Sequence, residues 1–336
     1  MAAELTATPE QLEAAVASLR AGELVAFPTE TVYGLGADAR NPAAVRRIFE
    51  VKGRPAHHPV IVHLARLGQL RDWARDVPPA ALLLAQRFWP GPLTLVLPRA
   101  PGVSDAVTGG QDTVALRVPS HPMAQQLLVA FQSGIAAPSA NRYGRVSPTR
   151  AEHVREELGS AVKVILDGGD CPIGLESTIV SFQVGRARLL RPGAVTAEQI
   201  RQVVGELGIG ADEASPRLAG STAAHYAPAT PLTIVPAAQL DAQVAASARS
   251  APVAVLAWRP PLEALAAVTW INAGKIAARY GHDLYNHLRT LDKAGCRRIL
   301  VQEVPEGEDW VAIRDRLRRA AAGAGLEDAE TEVEAT

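Results

Sequence analysis

Cysteine is almost missing from this chain of 336 residues. Cys171 and Cys296 are the only two, with no CxxC, which excludes a disulfide framework and a cysteine-built zinc site and fits a reducing compartment. Long apolar runs are missing too, since none approaches the roughly 18 residues of a membrane span. The first twenty residues hold Glu4, Glu10 and Glu13 but no apolar core run, and read as an extension and a helix, not a signal peptide. Neither sign of charge is in excess, with 34 basic residues against 35 acidic ones. The whole chain is therefore no electrostatic trap for nucleic acid, and any RNA contact needs a local patch.

Several catalytic signatures are absent as well. Without GxxxxGK[ST], any nucleotide use needs a different phosphate cradle. Without GxSxG or an assignable His–Asp pair, the hydroxyls of this chain read as hydrogen-bonding groups, not nucleophiles. The histidines His57, His58, His63, His121, His153, His225, His282 and His287 form no HxxxH on a convincing helix, which argues against a dedicated zinc site.

What is present includes a hydrophobic fraction of 48%, ample for a core, on a chain long enough for two domains. The densest stretch of unusual residues runs from Leu24 to Pro55. Leu24-Val-Ala-Phe27 predicts a short buried strand that breaks into Pro28-Thr-Glu-Thr-Val-Tyr-Gly-Leu-Gly36. Asn41 and Pro42 open a helix as cap and first turn, with Val45, Ile48 and Phe49 on one face. It delivers two cations, Lys52 and Arg54. A strand end rich in small polar groups, then a helix and a cationic turn, suits an anionic ligand in an α/β protein.

Periodicity predicts helices at 9–20, 67–75, 78–88, 197–206 and 309–321, and one marked by Leu284, Leu288 and Leu291. Ser120 and the pair Ser147-Pro148 are expected to cap two more. Strands are expected at 59–64, 93–97, 113–118, 162–166, near 178–181, at 232–235, 253–257 and 298–301, with a loop at 102–110. Residues 1–206 form a mixed α/β domain on this reading, and 207–231 a linker by composition. Residues 232–322 form a smaller Rossmann-like three-layer α/β domain with a largely parallel sheet, and 323–336 a disordered acidic tail.

Four cations sit at expected strand ends or turns: Lys52, Arg54, Arg117 and Arg191. They could neutralise a polyphosphate or clamp a carboxylate; solvated surface charges fit Arg117 and Arg191 about as well. Ser139 and Asn141 flank Ala140 in a loop with little side-chain bulk, which would let a flat base or sugar approach the backbone; a self-capping turn is the plain alternative. Thr29, Thr31, Ser177 and Thr178 carry the same two readings. Glu30, Glu176 and Asp167 are the available carboxylates. A divalent ion carried by phosphate oxygens would need few protein ligands.

Taken together these residues resemble the threonylcarbamoyl-AMP synthase family, the YrdC-like enzymes of tRNA modification. The matching segments are PTETVYGLGADA at 28–39, KGRP at 52–55, PVIVHL at 59–64, FWPGPLTLVLP at 88–98, TVALRVPSHP at 113–122, APSANRYGRVSPT at 137–149, LDGGDCPIGLESTIV at 166–180 and LLRPGAVT at 189–196. HYAP at 225–228 and the α/β stretch after it resemble the longer, two-domain branch.

The resemblance implies an open, twisted, mainly parallel sheet with a large concave cavity. It also implies synthesis of L-threonylcarbamoyladenylate and pyrophosphate from L-threonine, bicarbonate and ATP with Mg2+. A tRNA threonylcarbamoyl transferase would act downstream on the adenosine beside the anticodon. The setting would be the cytoplasm, without a membrane and without direct stable tRNA binding. By the same resemblance Lys52 and Arg54 are catalytic and phosphate-facing. Ser139, Asn141, Ser147, Arg191 and Tyr226 join them at ATP, while Thr29, Thr31, His63, Arg117, Ser177 and Thr178 surround threonine.

The sequence departs from the family pattern at His57-His58, and at Arg217 and Ala223-Ala224 ahead of His225. The alternatives are a carbamoyl-adenylate-forming carbamoyltransferase and a non-enzymatic RNA-binding or ribosome-assembly factor. The second would use Arg314, Arg316, Arg318 and Arg319 as a backbone-binding patch.

Overall fold

The computed structural model of the chain describes residues 6–183, 185–213, 215–218 and 224–325. The expected disordered tail falls mostly outside them. The chain divides into two compact units, Met1–Tyr143 with Ser147–Ser221 and Gly144–Val146 with Thr222–Thr336.

In the first unit α1 (Pro9–Arg20) starts at a capping box between Thr8 and Gln11. β1 (Val25–Phe27) and β2 (Gly34–Asp38) bracket the polar loop, and α2 (Pro42–Lys52) follows. Asn41 caps α2 by accepting from the amides of Ala43 and Ala44. Then come β3 (Ile61–His63), α3 (Pro79–Phe88), β4 (Leu93–Pro98), α4 (Asp105–Thr108), β5 (Thr113–Arg117) and α5 (Pro122–Phe131). After these lie β6 (Ile135–Ala136), α6 (Ala151–Leu158), β7 (Val164–Ile165), β8 (Thr178–Gln183), β9 (Arg186–Arg191), α7 (Ala197–Val204) and β10 (Gly208–Ile209).

The structure corrects several expectations. Residues 67–72 form a 3-10 turn instead of a longer helix, and α4 lies in the expected loop at 102–110. His121, not Ser120, caps α5, its Nδ1 accepting from the Met123 amide at 3.2 Å. Ser147 does not cap α6, whose N-cap is Arg150 without a side-chain bond.

The ten strands form one sheet in the order β10-β9-β8-β4-β5-β3-β6-β2-β1-β7. It is mixed: β10/β9, β8/β4, β5/β3 and β1/β7 run parallel and the other neighbours antiparallel. Alternation along the strands feeds two cores. Ala26 and Ala136 join Leu35, Val45, Ile48, Leu84 and Leu116 in one cluster. Val25, Phe27 and Ile135 join Val16, Leu19, Leu127 and Leu128 in another.

The first residues of the compositional linker belong to this unit. β10 pairs with β9 through Gly208↔Arg188 and Ile209↔Leu189. Farther on, the Arg217 amide donates to Gln111 Oε1 at 2.7 Å, Gln111 Nε2 donates to the Arg217 carbonyl at 3.2 Å, and Arg217 Nη2 donates to the Gly109 carbonyl at 2.8 Å. Leu218 is buried with Val96 and Ile179.

The second unit is a four-stranded, all-parallel sheet in the order β11-β14-β12-β13. Its elements are β11 (Leu232–Val235), α8 (Leu240–Ala248), β12 (Val253–Ala257), β13 (Val268–Asn272), α9 (Ala277–Asp292), β14 (Arg298–Gln302) and α10 (Val311–Gly323). Leu284, Leu288 and Leu291 are buried on α9, together with Tyr280 and Tyr285. Of the four arginines on α10, Arg318 is exposed and the other three are engaged within the unit. Arg316 is buried against Asp315, Arg319 also donates to Asp315, and Arg314 donates to the carbonyls of Pro305 and Gly307.

Gly109 sits where backbones crowd: its φ is 61°, and a Cβ there would lie 2.2 Å from the His57 carbonyl oxygen. Gly102 has φ 84° but nothing within 4 Å of the same position. Gly102→Ala is therefore expected to cost about 1–2 kcal/mol from backbone strain alone, and Gly109→Ala clearly more. Urea unfolding midpoints of the two variants check the difference.

Candidate functional site

Helix α2 ends in a way that sends its last side chain inward. Gly53 takes the left-handed conformation at φ 61° as C-cap, so the chain turns at once after Lys52. The Lys52 side chain is buried, and its Nζ donates to the Ser139 carbonyl at 2.6 Å and to the Asn141 carbonyl. The Lys52 carbonyl in turn accepts from the Tyr143 amide at 2.8 Å. The loop of small residues is thus bound to the lysine from both ends. Burial, with help from the nearby Arg54 charge and against that of Glu157, lowers the Lys52 ammonium pKa to about 7. Arg54 is also buried, donating from Nη2 to the Pro59 carbonyl at 2.9 Å, with its guanidinium 5.9 Å from the Phe49 ring centroid.

A second group forms around Arg117 at the end of β5. Its Nη2 lies 2.7 Å from Glu30 Oε1 in an ion pair with both side chains at most 5% exposed. Its Nη1 donates to Thr31 Oγ1 at 2.9 Å, and its Nε reaches the Gly91 carbonyl at 3.3 Å. Thr31 Oγ1 and Thr29 Oγ1 are 2.8 Å apart, and Thr29 donates to the Val32 carbonyl at 2.7 Å. The other Glu30 oxygen accepts from the Ser120 amide at 3.0 Å. His63 pairs with Arg117 across β3 and β5 and is buried. Burial first, then the Arg117 charge, lowers the His63 pKa to about 3, so its ring is neutral at physiological pH.

The third group lies where β8 begins. Ser177 Oγ is 2.7 Å from Thr94 Oγ1 and accepts from Arg191 Nη2 at 3.2 Å, while Arg191 Nε donates to the Ser177 carbonyl at 3.1 Å. Next to it, Ser147 Oγ donates to Glu176 Oε1 at 2.6 Å inside the protein. Thr178 spends its hydroxyl on the backbone of Val195. Backbone bonds draw the loops together: the Tyr33 amide donates to the Pro148 carbonyl, Ala140 to Tyr33, and Ile173 to Glu30.

Lys52, Ser139 and Asn141 are therefore in direct contact, as are Thr29, Thr31 and Arg117, and Ser177 and Arg191. Three participants carried no assignment from the sequence: Glu30, Thr94 and Glu176. A buried carboxylate between two threonines is the one signal that could have singled out Glu30. Tyr226 belongs to the second unit. Its ring stacks on Tyr285 at 5.7 Å, and the Arg316 guanidinium lies 5.3 Å from its centroid. The departing pair His57-His58 packs ring to ring at 4.6 Å, and His58 also meets Tyr143. Burial, followed by the charges of Arg54, His57 and Arg217, lowers the His58 pKa to about 4. No group of three or more His, Cys, Asp or Glu suited to a metal occurs among the described residues, and no helix there is long and apolar enough to cross a membrane.

Comparison with known proteins bears on this arrangement. Residues 17–193 match the Sua5/YciO/YrdC family model, described as telomere recombination, and residues 195–322 match the threonylcarbamoyl-AMP synthase C-terminal domain. The chain is 41% identical over 332 residues to the threonylcarbamoyl-AMP synthase of Bacillus subtilis, covering 95% of each. It belongs to the two-domain Sua5/YrdC-like threonylcarbamoyl-AMP synthase family.

The synthase of Pyrococcus abyssi is 39% identical over 324 residues, which cover 93% of this chain and 94% of the relative. The crystal structure of P. abyssi Sua5 complexed with L-threonine superposes with a TM-score of 0.86 at 39% identity, over 93% of this chain and 94% of that one. The chain thus shares the family's α/β fold with its smaller second α/β domain. A putative synthase of Mycobacterium tuberculosis (strain H37Rv) matches over 203 residues, 59% of this chain but 93% of its own length.

The buried lysine of this family member gives a pH test. Below pH 7 Lys52 is protonated folded and unfolded, and burying its charge costs stability. Between the folded value of about 7 and the unfolded value of 10.5 the unfolded chain binds more protons, so stability rises with pH through that window. Wild type should therefore gain stability relative to Lys52→Met between pH 6 and pH 9. Denaturant midpoints of both proteins at the two pH values measure this.

Proposed function

We propose that the protein is an L-threonylcarbamoyladenylate synthase acting on L-threonine, bicarbonate and ATP. The observation that carries this reading is Lys52, a buried cation bound to the backbone of the Ser139–Asn141 loop with Arg54 two residues on. It sits in a chain whose relatives over nearly full length are threonylcarbamoyl-AMP synthases. In this reading the threonine amine attacks the carbon of bicarbonate or its activated form. The C–N bond forms, a C–O bond breaks, and the amine proton goes to the departing oxygen, which leaves bicarbonate as water, giving N-carboxythreonine. One oxygen of the new carboxylate attacks the α-phosphorus of ATP, the bond to the bridging oxygen breaks, and pyrophosphate leaves.

No covalent enzyme intermediate is required. Lys52, Arg54 and Arg191 neutralise phosphate charge. Ser139, Asn141 and Ser147 orient the nucleotide, with Tyr226 assigned to it as well. Thr29, Thr31, His63, Arg117, Ser177 and Thr178 surround threonine. The chain's work is to hold the carbamate near phosphorus and keep water away. Magnesium fits this site as an ion carried on phosphate oxygens, because the described carboxylates Glu30 and Glu176 are already engaged by Arg117, Ser120 and Ser147. When bound it would screen phosphate charge. The product would pass to a tRNA threonylcarbamoyl transferase in the cytoplasm, without stable tRNA binding here.

The test is pyrophosphate release from L-threonine, bicarbonate and ATP with magnesium, and no release would end this reading. Lys52→Ala is expected to lower kcat/KM by about 100-fold or more, the range for removing one preorganised charge-stabilising group. A thermal melt should show the variant still folded. Retained activity in that folded variant would remove the role given to Lys52.

A further inference from the structure

Arg117 is a buried cation whose charge is already cancelled. A guanidinium has five N–H donors; the hydrogen bonds to Thr31 and Gly91 use two of them, and Nη2 meets Glu30 as an ion pair. Donors that remain on Nη1 and Nη2 can bind a carboxylate or a phosphate oxygen. Chemistry alone would let phosphate in, since Arg117 sits in a protein whose proposed substrates and products are rich in it.

Glu30 decides between these ligands. Its carboxylate is 2.7 Å from the guanidinium and out of contact with water, and its position is fixed by the Ser120 amide on one oxygen and by the Ile173 amide on its own backbone carbonyl. At that depth charges are little screened. The neighbouring His63 is neutral and adds no charge. The Arg117 end is therefore electrically balanced. A zwitterion with no net charge can enter the balanced end; a phosphate dianion finds no net positive charge there to offset the loss of its hydration.

We infer that Glu30 is a specificity-determining residue: by cancelling the Arg117 charge it makes that end of the site admit a zwitterionic amino acid and refuse phosphate. This rests on the assignment of the Arg117 end to threonine. Glu30→Gln keeps the side-chain shape and one hydrogen-bond acceptor but leaves Arg117 as an uncompensated buried cation, a state an arriving anion would relieve.

The experiment is calorimetric titration of L-threonine into the full chain with and without inorganic phosphate. In wild type, phosphate should leave the threonine affinity within about twofold, while in Glu30→Gln it should weaken it about tenfold or more, because the uncompensated arginine now recruits the anion. Indifference to phosphate in the variant overturns the inference, as does equal competition in wild type. If Glu30→Gln does not fold, Glu30→Asp withdraws the charge by one methylene and is expected to show partial competition, about threefold; indifference there also overturns it. Wild type that binds no L-threonine overturns both the inference and the proposed reaction. The expected phosphate competition in a protein that releases no pyrophosphate supports the inference and counts against the reaction alone.

Discussion

An ammonium group shut away from water and held by two backbone carbonyls is the interaction on which the site's geometry depends. Lys52 can be there only because α2 stops at a left-handed glycine, and because the Ser139–Asn141 loop has no bulk to block it. In exchange the lysine orders that loop, whose small side chains contribute little packing of their own. The cost is desolvation, visible in the depressed lysine pKa. Two carbonyl dipoles offset part of it, and a ligand with negative charge would offset more.

The buried groups around Lys52 follow the same logic with different partners. Arg54 uses a carbonyl and an aromatic face, Arg191 uses a serine hydroxyl and carbonyl, and Arg117 uses a full carboxylate. The last is charge-balanced by an ion pair. Cations of similar appearance in the sequence thus differ in their partners, and on the proposed assignment the Arg117–Glu30 pair would mark the end suited to an amino acid.

Much of the fold could be read from local pattern. The apolar faces of α2 and α9 and the apolar runs of β4, β12 and β14 lie where their spacing places them. What escaped were elements whose stability is not local. Helix α8 buries little besides Leu240 and Val244. Strand β13, at the sheet edge, is only partly buried, and β10 has two residues and exists by pairing with β9. The cap on α5 escaped because histidine is an unusual capping residue. In the site, the residue types around Lys52, Thr31 and Arg191 were legible because they resemble a family. Their partners were not, since contacts such as Thr94 with Ser177 join residues 83 positions apart. A hydroxyl or carboxylate in a sequence does not announce which distant group it will meet.

The two-residue strand β10 bears on where this chain can be divided. Composition suggests a cut near residue 206, yet Gly208 and Ile209 cover the outer edge of β9, and Arg217 and Leu218 are tied down farther along. A fragment ending at 206 would lose that cover and expose the β9 amides and carbonyls as an open pairing edge. Such an edge recruits strands from other copies. A few residues that look like connector by composition therefore help keep separate molecules from joining sheet to sheet.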